Sequence, residues 1–303
     1  MFPSIFRGAA AWHQGQLVEV RSLAEILATL DAENKLEGLP FMQEMAQYCG
    51  TRLRIHRRAD KVCMDGQSLR RLHNSVLLQG SRCDGASHDD CQRGCLMLWK
   101  TAWLKLVSEA EGAGRRDAST PGAAADRLSS KRNGHHCCQA TELLTATSPL
   151  SRWNVWCLWQ DFWNGEATLL RLARVVWCTV RTKLPGRWGR RPVGRNTVSP
   201  KGHLGLQAGD LVEVKSREEI EATLTAEGKN RGLSFEAEMV EHCGRRYRVA
   251  FPLRQIISQQ TGEMLHLEDT VVMEGVTCQG TCARNCPRNN YFYWREIWLR
   301  RVD

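Results

Sequence analysis

The sequence lacks the patterns that would assign a reaction or a membrane topology. Its 303 residues contain no run of 18 uninterrupted apolar residues, so a conventional membrane-spanning helix is not expected. Residues 1–15 carry one Arg and no apolar core, which argues against a secretory signal. No nucleotide-binding glycine fingerprint, Walker sequence, G-x-S-x-G or H-E-x-x-H is present. These absences favour a cytoplasmic protein without catalytic activity, and any enzymatic chemistry has to be argued from the cysteines.

Acidic residues are absent between Ala167 and Gly209. That segment of 43 residues holds nine basic residues, which account for the whole formal net charge of +9. With 42% hydrophobic residues, the chain can bury the cores of about two ordinary domains. One basic segment between neutral regions indicates contact with a local anionic surface rather than general affinity for nucleic acid.

The chain contains an internal repeat. Residues 15–50 align without a gap on residues 209–244, with 21 identities in 36 positions. The match resumes after a slip of one residue and continues to the end of each copy, where WKTAWLKLV (99–107) faces WREIWLRRV (294–302). The chain is therefore two copies of a unit of about 95 residues on either side of a unique middle.

Each copy predicts the same short elements. LVEV alternates between apolar and polar side chains, as a short strand does. Ser22-x-x-Glu25 and its counterpart in the second copy are capping boxes, each opening a helix of roughly ten residues. Trp99 and Trp103 are expected in the core or at the rim of a barrel. The predicted fold class is α+β, mostly β, with two repeated small SH3-like barrels that carry short helical insertions, joined by a helical, Trp-rich basic middle segment.

The predicted domain boundaries follow the repeat. They place a first SH3-like repeat with a Cys/His cluster at 1–107, a flexible linker at 108–134, a Trp-rich basic amphipathic helical segment at 135–208, and a second SH3-like repeat at 209–303. The linker is assigned because this stretch is rich in Gly, Ala, Ser and charge.

The first copy concentrates soft metal ligands. Four thiolates and one imidazole make the candidate metal set: Cys63, Cys83, His88, Cys91 and Cys95. Zinc fits this set because tetrahedral Zn²⁺ accepts Cys₄ or Cys₃His. An iron–sulfur cluster is the alternative cofactor, and reduced, partly buried thiols without metal are the third interpretation. A disulfide framework is disfavoured, because the count of 13 cysteines is odd and no export signal is found.

The second copy keeps part of this set. Cys278, Cys282 and Cys286 are a candidate second metal or thiol site. Two ligand positions of the first copy are lost there, where Ile257 and Asn290 stand instead. Since the flanking strands are kept, the shared fold does not need a complete site, and a metal would serve a role particular to the first copy.

The middle of the chain combines Trp with basic residues. ATLLRLARVVWCTVRTK predicts an amphipathic helix with Arg171, Arg174 and Arg181 on one stripe. We expect these arginines and Trp177 to contact a membrane or another anionic surface. One alternative is a helical hairpin that packs on the barrels, and another is nucleic-acid binding. The latter is disfavoured because aliphatic residues, rather than aromatic residues along a groove, accompany the arginines.

Several sequence blocks together resemble a family of uncharacterised bacterial proteins encoded near polysaccharide or other cell-surface biosynthesis genes. The blocks are LVEV…PFMQEMAQYCG, RCDGASHDDCQRGC, CQATELLTATSPL (138–150) and YWREIWLRRV (293–302). The resemblance covers most of the chain and implies that the four cysteines of the candidate metal set belong to a recurrent pattern. It implies no activity, so no catalytic residue is carried over.

Three functions are compared. The favoured one is a non-enzymatic accessory or binding protein, in which zinc braces the first SH3-like module and the middle contacts an unknown protein partner or the inner face of the plasma membrane. The second is a redox or metal-dependent enzyme using the cysteines of the first copy or Cys138, with His88, His135 and His136 as the obvious bases. The third is a nucleic-acid-binding protein, since small barrels that open with such strands also occur in translation and transcription factors.

Overall fold

The computed structural model describes residues 12–64, 69–108, 114–115, 128–132, 134–151, 154, 156–181 and 192–302. The chain divides into two units. The first comprises Met1–Leu172, Ile257–Met264 and Asn285–Arg288, and the second comprises Ala173–Ile256, Leu265–Arg284 and Asn289–Asp303. Two short segments of the second repeat therefore belong to the first unit.

Short strands account for most of the regular structure that is described. The first thirteen are β1 (Leu17–Val20), β2 (Lys35–Leu36), β3 (Leu39–Pro40), β4 (Thr51–Arg58), β5 (Lys61–Val62), β6 (Arg70–Arg71), β7 (Ser75–Arg82), β8 (Leu96–Lys100), β9 (Leu104–Leu106), β10 (Gly114–Arg115), β11 (Lys131–Arg132), β12 (His135–His136) and β13 (Ser148–Pro149). The following nine are β14 (Leu211–Val214), β15 (Lys229–Asn230), β16 (Leu233–Ser234), β17 (Arg246–Pro252), β18 (Gln255–Ile257), β19 (Met264–His266), β20 (Thr270–Met273), β21 (Trp294–Arg295) and β22 (Leu299–Arg301).

The helices are short. The α-helices are α1 (Leu23–Leu27), α2 (Leu143–Ala146), α3 (Trp156–Trp163), α4 (Leu169–Arg181) and α5 (Arg217–Glu221). The 3₁₀-helices include Gln43–Tyr48, Thr101–Trp103, Ala237–His242, Thr281–Ala283 and Glu296–Trp298. Among the described residues, no helix has the length and apolar character needed to cross a membrane.

The main sheets of the two units have the same strand order. It is β8-β7-β4-β1-β9 in the first unit and β21-β20-β17-β14-β22 in the second. In β1, Val18 and Val20 point to one face and are fully buried, as the alternation of LVEV predicts. The described structure is mostly β, with several small antiparallel sheets and a half-barrel, which confirms the predicted class at that level.

Two buried tryptophans anchor the core of each unit. Trp99 and Trp103 lie edge-on to Phe41, with ring centroids 6.2 and 5.3 Å from it. In the second unit Phe235 makes the same contacts with the two matching tryptophans, at 6.0 and 5.2 Å. The core position predicted for Trp99 and Trp103 is confirmed, since both rings are fully buried.

Both predicted capping boxes are present, but the helices that they open are shorter than predicted. Ser22 and Ser216 each accept the backbone N–H of the glutamate three residues later, whose carboxylate bonds back to the serine N–H. The α1 and α5 helices have five residues each instead of about ten. The chain turns away after α1 because the carboxylate of Asp31 accepts the backbone N–H groups of Glu33 and Lys35, each at 2.9 Å.

The CQATEL block lies against the edge of the first unit's main sheet. Gln139 is buried, and its Oε1 accepts the N–H of Leu98 at 2.8 Å while its Nε2 donates to the Leu98 carbonyl at 2.7 Å. One side chain thereby satisfies both backbone groups of a residue in the edge strand β8, as a neighbouring strand would. Leu143 of α2 joins the same core.

The predicted linker, 108–134, falls mostly outside the described residues. Its described parts include β10, which pairs with β4, and β11, which pairs with β12. These described parts form short paired strands, and the assignment of the whole segment as a flexible linker stays a prediction.

Candidate metal centre

Glu44 lies in the 3₁₀-helix Gln43–Tyr48 and is almost fully buried. Its Oε1 accepts the backbone N–H of Ser87 at 3.2 Å and is hydrogen-bonded to Nδ1 of His88. Its second oxygen, Oε2, is buried and has no hydrogen-bond partner. A buried acceptor without a partner costs roughly 1–3 kcal/mol, and a charged one costs more. This oxygen therefore marks a place where a further ligand would be stabilised.

Cys83 and His88 belong to the loop between β7 and β8, residues 83–95, which we call the cysteine loop. Cys83 directly follows β7, and its N–H donates to the Cys95 carbonyl at 2.9 Å. Gly85 has a φ of +75°, and a Cβ at this position would lie 2.0 Å from the carbonyl oxygen of Cys91. Only glycine permits this close approach, which folds the loop back on itself.

Glu44, Cys83 and His88 bring one ligand atom each to within 4.8 Å of the other two. The group offers an oxygen, a sulfur and a nitrogen donor, all of which Zn²⁺ accepts in its four-coordinate sites. His88 also lines a small cleft together with Lys131 and Cys137. The three donors can therefore hold a small cation. For a four-coordinate zinc ion they leave one coordination position for a further donor.

The pKa shifts of His88 and Cys83 both favour the protonated forms of these side chains. Burial opposes the charged form of His88, but the hydrogen bond and the charge of Glu44 raise the pKa of its imidazole. Burial raises the pKa of the Cys83 thiol, and the charge of Glu44 raises it further. A divalent cation would take the place of these protons, because metal ligands must be deprotonated.

The second repeat provides an internal comparison. Glu238, which aligns with Glu44, accepts the backbone N–H of Cys282 on Oε1 at 2.7 Å and that of Gln279 on Oε2 at 2.9 Å. Both carboxylate oxygens are thus used by the loop backbone, and alanine stands at the position of the imidazole. In both repeats the glutamate accepts hydrogen bonds from the backbone of the loop that carries the cysteines. The carboxylate oxygen without a partner and the imidazole are particular to the first repeat.

Three cysteines of the predicted metal set have other contacts. The Sγ of Cys91 accepts the N–H of Ile257 at 3.3 Å, and the N–H of Cys63 donates to the Sγ of Cys286 at 3.1 Å. Cys95 meets the candidate group through its backbone carbonyl. Of the five predicted ligands, the structure therefore gathers Cys83 and His88 around a glutamate.

That glutamate was missed by the sequence analysis. Glu44 lies in the apolar block PFMQEMAQYCG, and a glutamate is kept at the same place in the second repeat. A charged residue retained in both copies inside an apolar block was the available signal, because such a residue needs a partner when it is buried.

The three cysteines of the candidate second site have separate environments. Cys282 forms a disulfide with Cys178 of α4, with a Cα–Cα distance of 5.4 Å. The Sγ of Cys278 lies 3.6 Å from Oε2 of Glu238, and Cys286 belongs to the first unit. The disulfide departs from the expectation of reduced thiols, because the fold brings together two cysteines 104 residues apart whose spacing carries no pairing signal.

A second group of three ligand types, His203, Asp269 and Glu296, has a structural task. Glu296 accepts the backbone N–H groups of residues 204–206, and Asp269 accepts a hydrogen bond from Arg231 at 2.7 Å as well as one from His203. These carboxylates hold a loop and compensate an arginine, so they do not favour a cation.

The helices α3 and α4 expose large apolar side chains. Trp163 of α3 is 74% exposed, and Leu170 and Trp177 of α4 are also exposed. Exposed apolar side chains grouped on short helices are typical of surfaces that bind a partner or a lipid interface.

The arginines predicted to contact an anionic surface have internal partners where they are described. Arg171 donates to Oδ1 of Asn285 at 2.7 Å, and Arg174 forms an ion pair with Glu241. The side chain of Arg181 lies outside the described residues. The Arg174 side chain is nevertheless 63% exposed, and Trp177 is exposed as well, so α4 presents both a charged and an apolar side chain to solvent.

Comparison with protein-family models, with curated proteins and with solved structures found no match to this chain. The resemblance to a bacterial family stays a prediction, and the candidate site stands on its own geometry.

Proposed function

We propose that the chain is a non-enzymatic accessory protein of two SH3-like modules, in which Glu44, Cys83 and His88 hold a structural zinc ion in the first module. The middle segment contacts an anionic membrane surface or a protein partner. The observation that carries the proposal is the buried Oε2 of Glu44, which has no hydrogen-bond partner and belongs to a group of oxygen, sulfur and nitrogen donors. The matching strand order of the two sheets supports two related modules.

Zinc is favoured over an iron–sulfur cluster because the group supplies one thiol. A cluster is held by several cysteine thiolates, whereas zinc combines sulfur, nitrogen and oxygen donors. All three donors are shielded by the core and by the cysteine loop, so a bound ion would brace that loop. This shielding favours a structural role, which a fourth protein donor would complete, since structural zinc sites are closed and four-coordinate.

The metal content tests this proposal. Protein purified without chelators is expected to contain about one zinc ion per chain by elemental analysis. Glu44→Gln keeps an oxygen that accepts the Ser87 N–H but removes the negative charge, so we expect zinc affinity to fall by at least about 10- to 100-fold. Cys83→Ser is expected to lower it similarly, because a hydroxyl does not replace a thiolate.

Glu238→Gln is the matched control, since it makes the same change at the aligned position, where both oxygens bond to backbone. It is expected to leave the zinc content unchanged. A chain that binds no zinc would contradict the proposal, and so would an equal loss of zinc in both glutamine variants. Iron with sulfide in place of zinc would favour the redox alternative.

Membrane contact is tested with vesicles of phosphatidylcholine, with and without phosphatidylserine. Trp163→Ser and Trp177→Ser are each expected to weaken binding about tenfold or more, because burying an aromatic side chain contributes roughly 1.5–3 kcal/mol. Added salt should weaken binding to the anionic vesicles alone. Val198→Ser removes an apolar side chain that is exposed outside the helices and should have no effect. Equal losses at all three positions, or no binding to either vesicle, would count against membrane contact.

A further inference from the structure

One backbone contact occurs twice in the first unit, each time made by a cysteine and the arginine two residues later. The Sγ of Cys91 accepts the N–H of Ile257 at 3.3 Å, and Nη1 of Arg93 donates to the Ile257 carbonyl at 3.1 Å. A Cys-x-Arg segment thereby holds both backbone groups of one residue. We call this arrangement the backbone clamp.

The aligned segment of the second repeat makes the other backbone clamp. The Sγ of Cys286 accepts the N–H of Cys63 at 3.1 Å, and Nη1 of Arg288 donates to the Cys63 carbonyl at 2.8 Å. Segment 285–288 and Cys63 both belong to the first unit. The two clamps differ in the residue that is held, which is isoleucine in one and cysteine in the other.

The difference in the held residue shows which part of the arrangement is structural and which part a thiol adds. The clamp at Ile257 shows that the contact forms without a thiol on the held residue. The thiol of Cys63 is therefore additional to the clamp. The contact between the Cys63 backbone nitrogen and the Cys286 Sγ, at 3.1 Å, brings a half-buried and a buried cysteine close together, as a disulfide requires.

The two clamps also differ in the pKa of the cysteine thiol that makes the contact. Burial raises the pKa of the Cys91 thiol. Burial also opposes ionisation of Cys286, but the hydrogen bonds from Cys63 and from the Arg288 backbone, with the charge of Arg288, lower the pKa of its thiol. The clamp at Cys63 thus favours a thiolate more than the clamp at Ile257 does.

We propose that Cys63 and Cys286 form a reversible dithiol–disulfide pair that exchanges with small-molecule disulfides of the glutathione class. Cys63, the more accessible of the two, attacks one sulfur of the small disulfide, forms a mixed disulfide and releases the first small thiol. The Cys286 thiolate then attacks the Cys63 sulfur and releases the second small thiol. The two protein thiols lose two electrons and two protons, and one small disulfide becomes two small thiols.

Oxidation of the pair would fix the end of β5 to segment 285–288 at positions that the clamp already holds together. The chain contains a second disulfide, between Cys178 and Cys282, which involves different residues and serves as an internal reference. The proposal is independent of the zinc site, because neither Cys63 nor Cys286 belongs to the group around Glu44.

The full chain, reduced and then incubated with oxidised glutathione, provides the test. Alkylation, proteolysis and mass spectrometry are expected to show a peptide pair linked through Cys63 and Cys286, with a loss of about two alkylatable thiols beyond the two that Cys178 and Cys282 take up, which dithiothreitol restores. Cys63→Ile copies the residue of the other clamp and should abolish this cross-link while the fold is kept. Ile257→Cys should create a new cross-link from position 257 to Cys91.

Circular dichroism of each variant checks that the fold is kept. Absence of the cross-link between Cys63 and Cys286 under conditions in which Cys178 and Cys282 are joined would overturn the proposal. Random pairing of Cys63 with several other cysteines would overturn it as well, because the backbone clamp predicts one partner.

Discussion

Trp103→Ala is expected to destabilise the first unit by about 3–5 kcal/mol. The Trp103 side chain is fully buried, lies 5.3 Å from Phe41 between ring centroids, and donates from Nε1 to the hydroxyl of Thr29 at 3.1 Å. Its removal leaves a cavity and takes away the donor to that hydroxyl, which itself still donates to the Ile26 carbonyl. Since small domains are stable by only about 5–15 kcal/mol, urea unfolding followed by circular dichroism should show a large shift of the first unit's transition.

Two further variants make this result specific. Trp298→Ala should cost the second unit a similar amount, because Trp298 lies 5.2 Å from Phe235 and donates to the hydroxyl of Thr223 at 3.0 Å. Trp163→Ala should change the free energy of unfolding by less than about 0.5 kcal/mol, because that ring is 74% exposed. Similar effects of Trp103→Ala and Trp163→Ala would contradict the core position of Trp103.

The parts of the fold that depend on residues close together in the sequence could be predicted from it. Alternation in LVEV gave β1 and β14, and the Ser-x-x-Glu pattern gave the capping boxes at Ser22 and Ser216. The length predicted for α1 was wrong because a turn around Asp31 competes with the helix, and that turn depends on side-chain acceptance of backbone N–H groups. Local patterns thus locate the start of an element better than its end.

The candidate site could be predicted only in part. Cys83 and His88 share one loop, so their proximity follows from the sequence, whereas Glu44 reaches them across 39 residues or more and is placed by burial of its helix. Cys63 and Cys91 looked like ligands because of their residue type. The structure instead engages them with segments near 286 and 257, contacts that the spacing of cysteines does not encode.

Breaking the buried ion pair between Lys61 and Asp161 is expected to cost the first unit about 3–5 kcal/mol. Nζ of Lys61 lies 2.6 Å from Oδ2 of Asp161, and their side chains are only 5% and 14% exposed. Asp161 belongs to α3 and also accepts from Nδ2 of Asn285 at 2.6 Å. Asp161→Asn leaves a buried ammonium with neutral partners only, among them the Cys157 carbonyl at 3.1 Å. Urea unfolding measures the loss.

A second ion pair of the same unit isolates the effect of burial. Lys131 and Asp89 also lie 2.6 Å apart, but their side chains are 48% and 58% exposed, so Asp89→Asn should change the free energy of unfolding by less than about 1 kcal/mol. Lys61→Met combined with Asp161→Leu should regain the part of the loss that comes from the uncompensated charge, while Nδ2 of the buried Asn285 loses its Asp161 acceptor. Equal effects of the two asparagine variants would contradict the packing of α3 on Lys61. Since the two N···O distances are the same, the difference between these variants measures what burial adds to an ion pair in this protein.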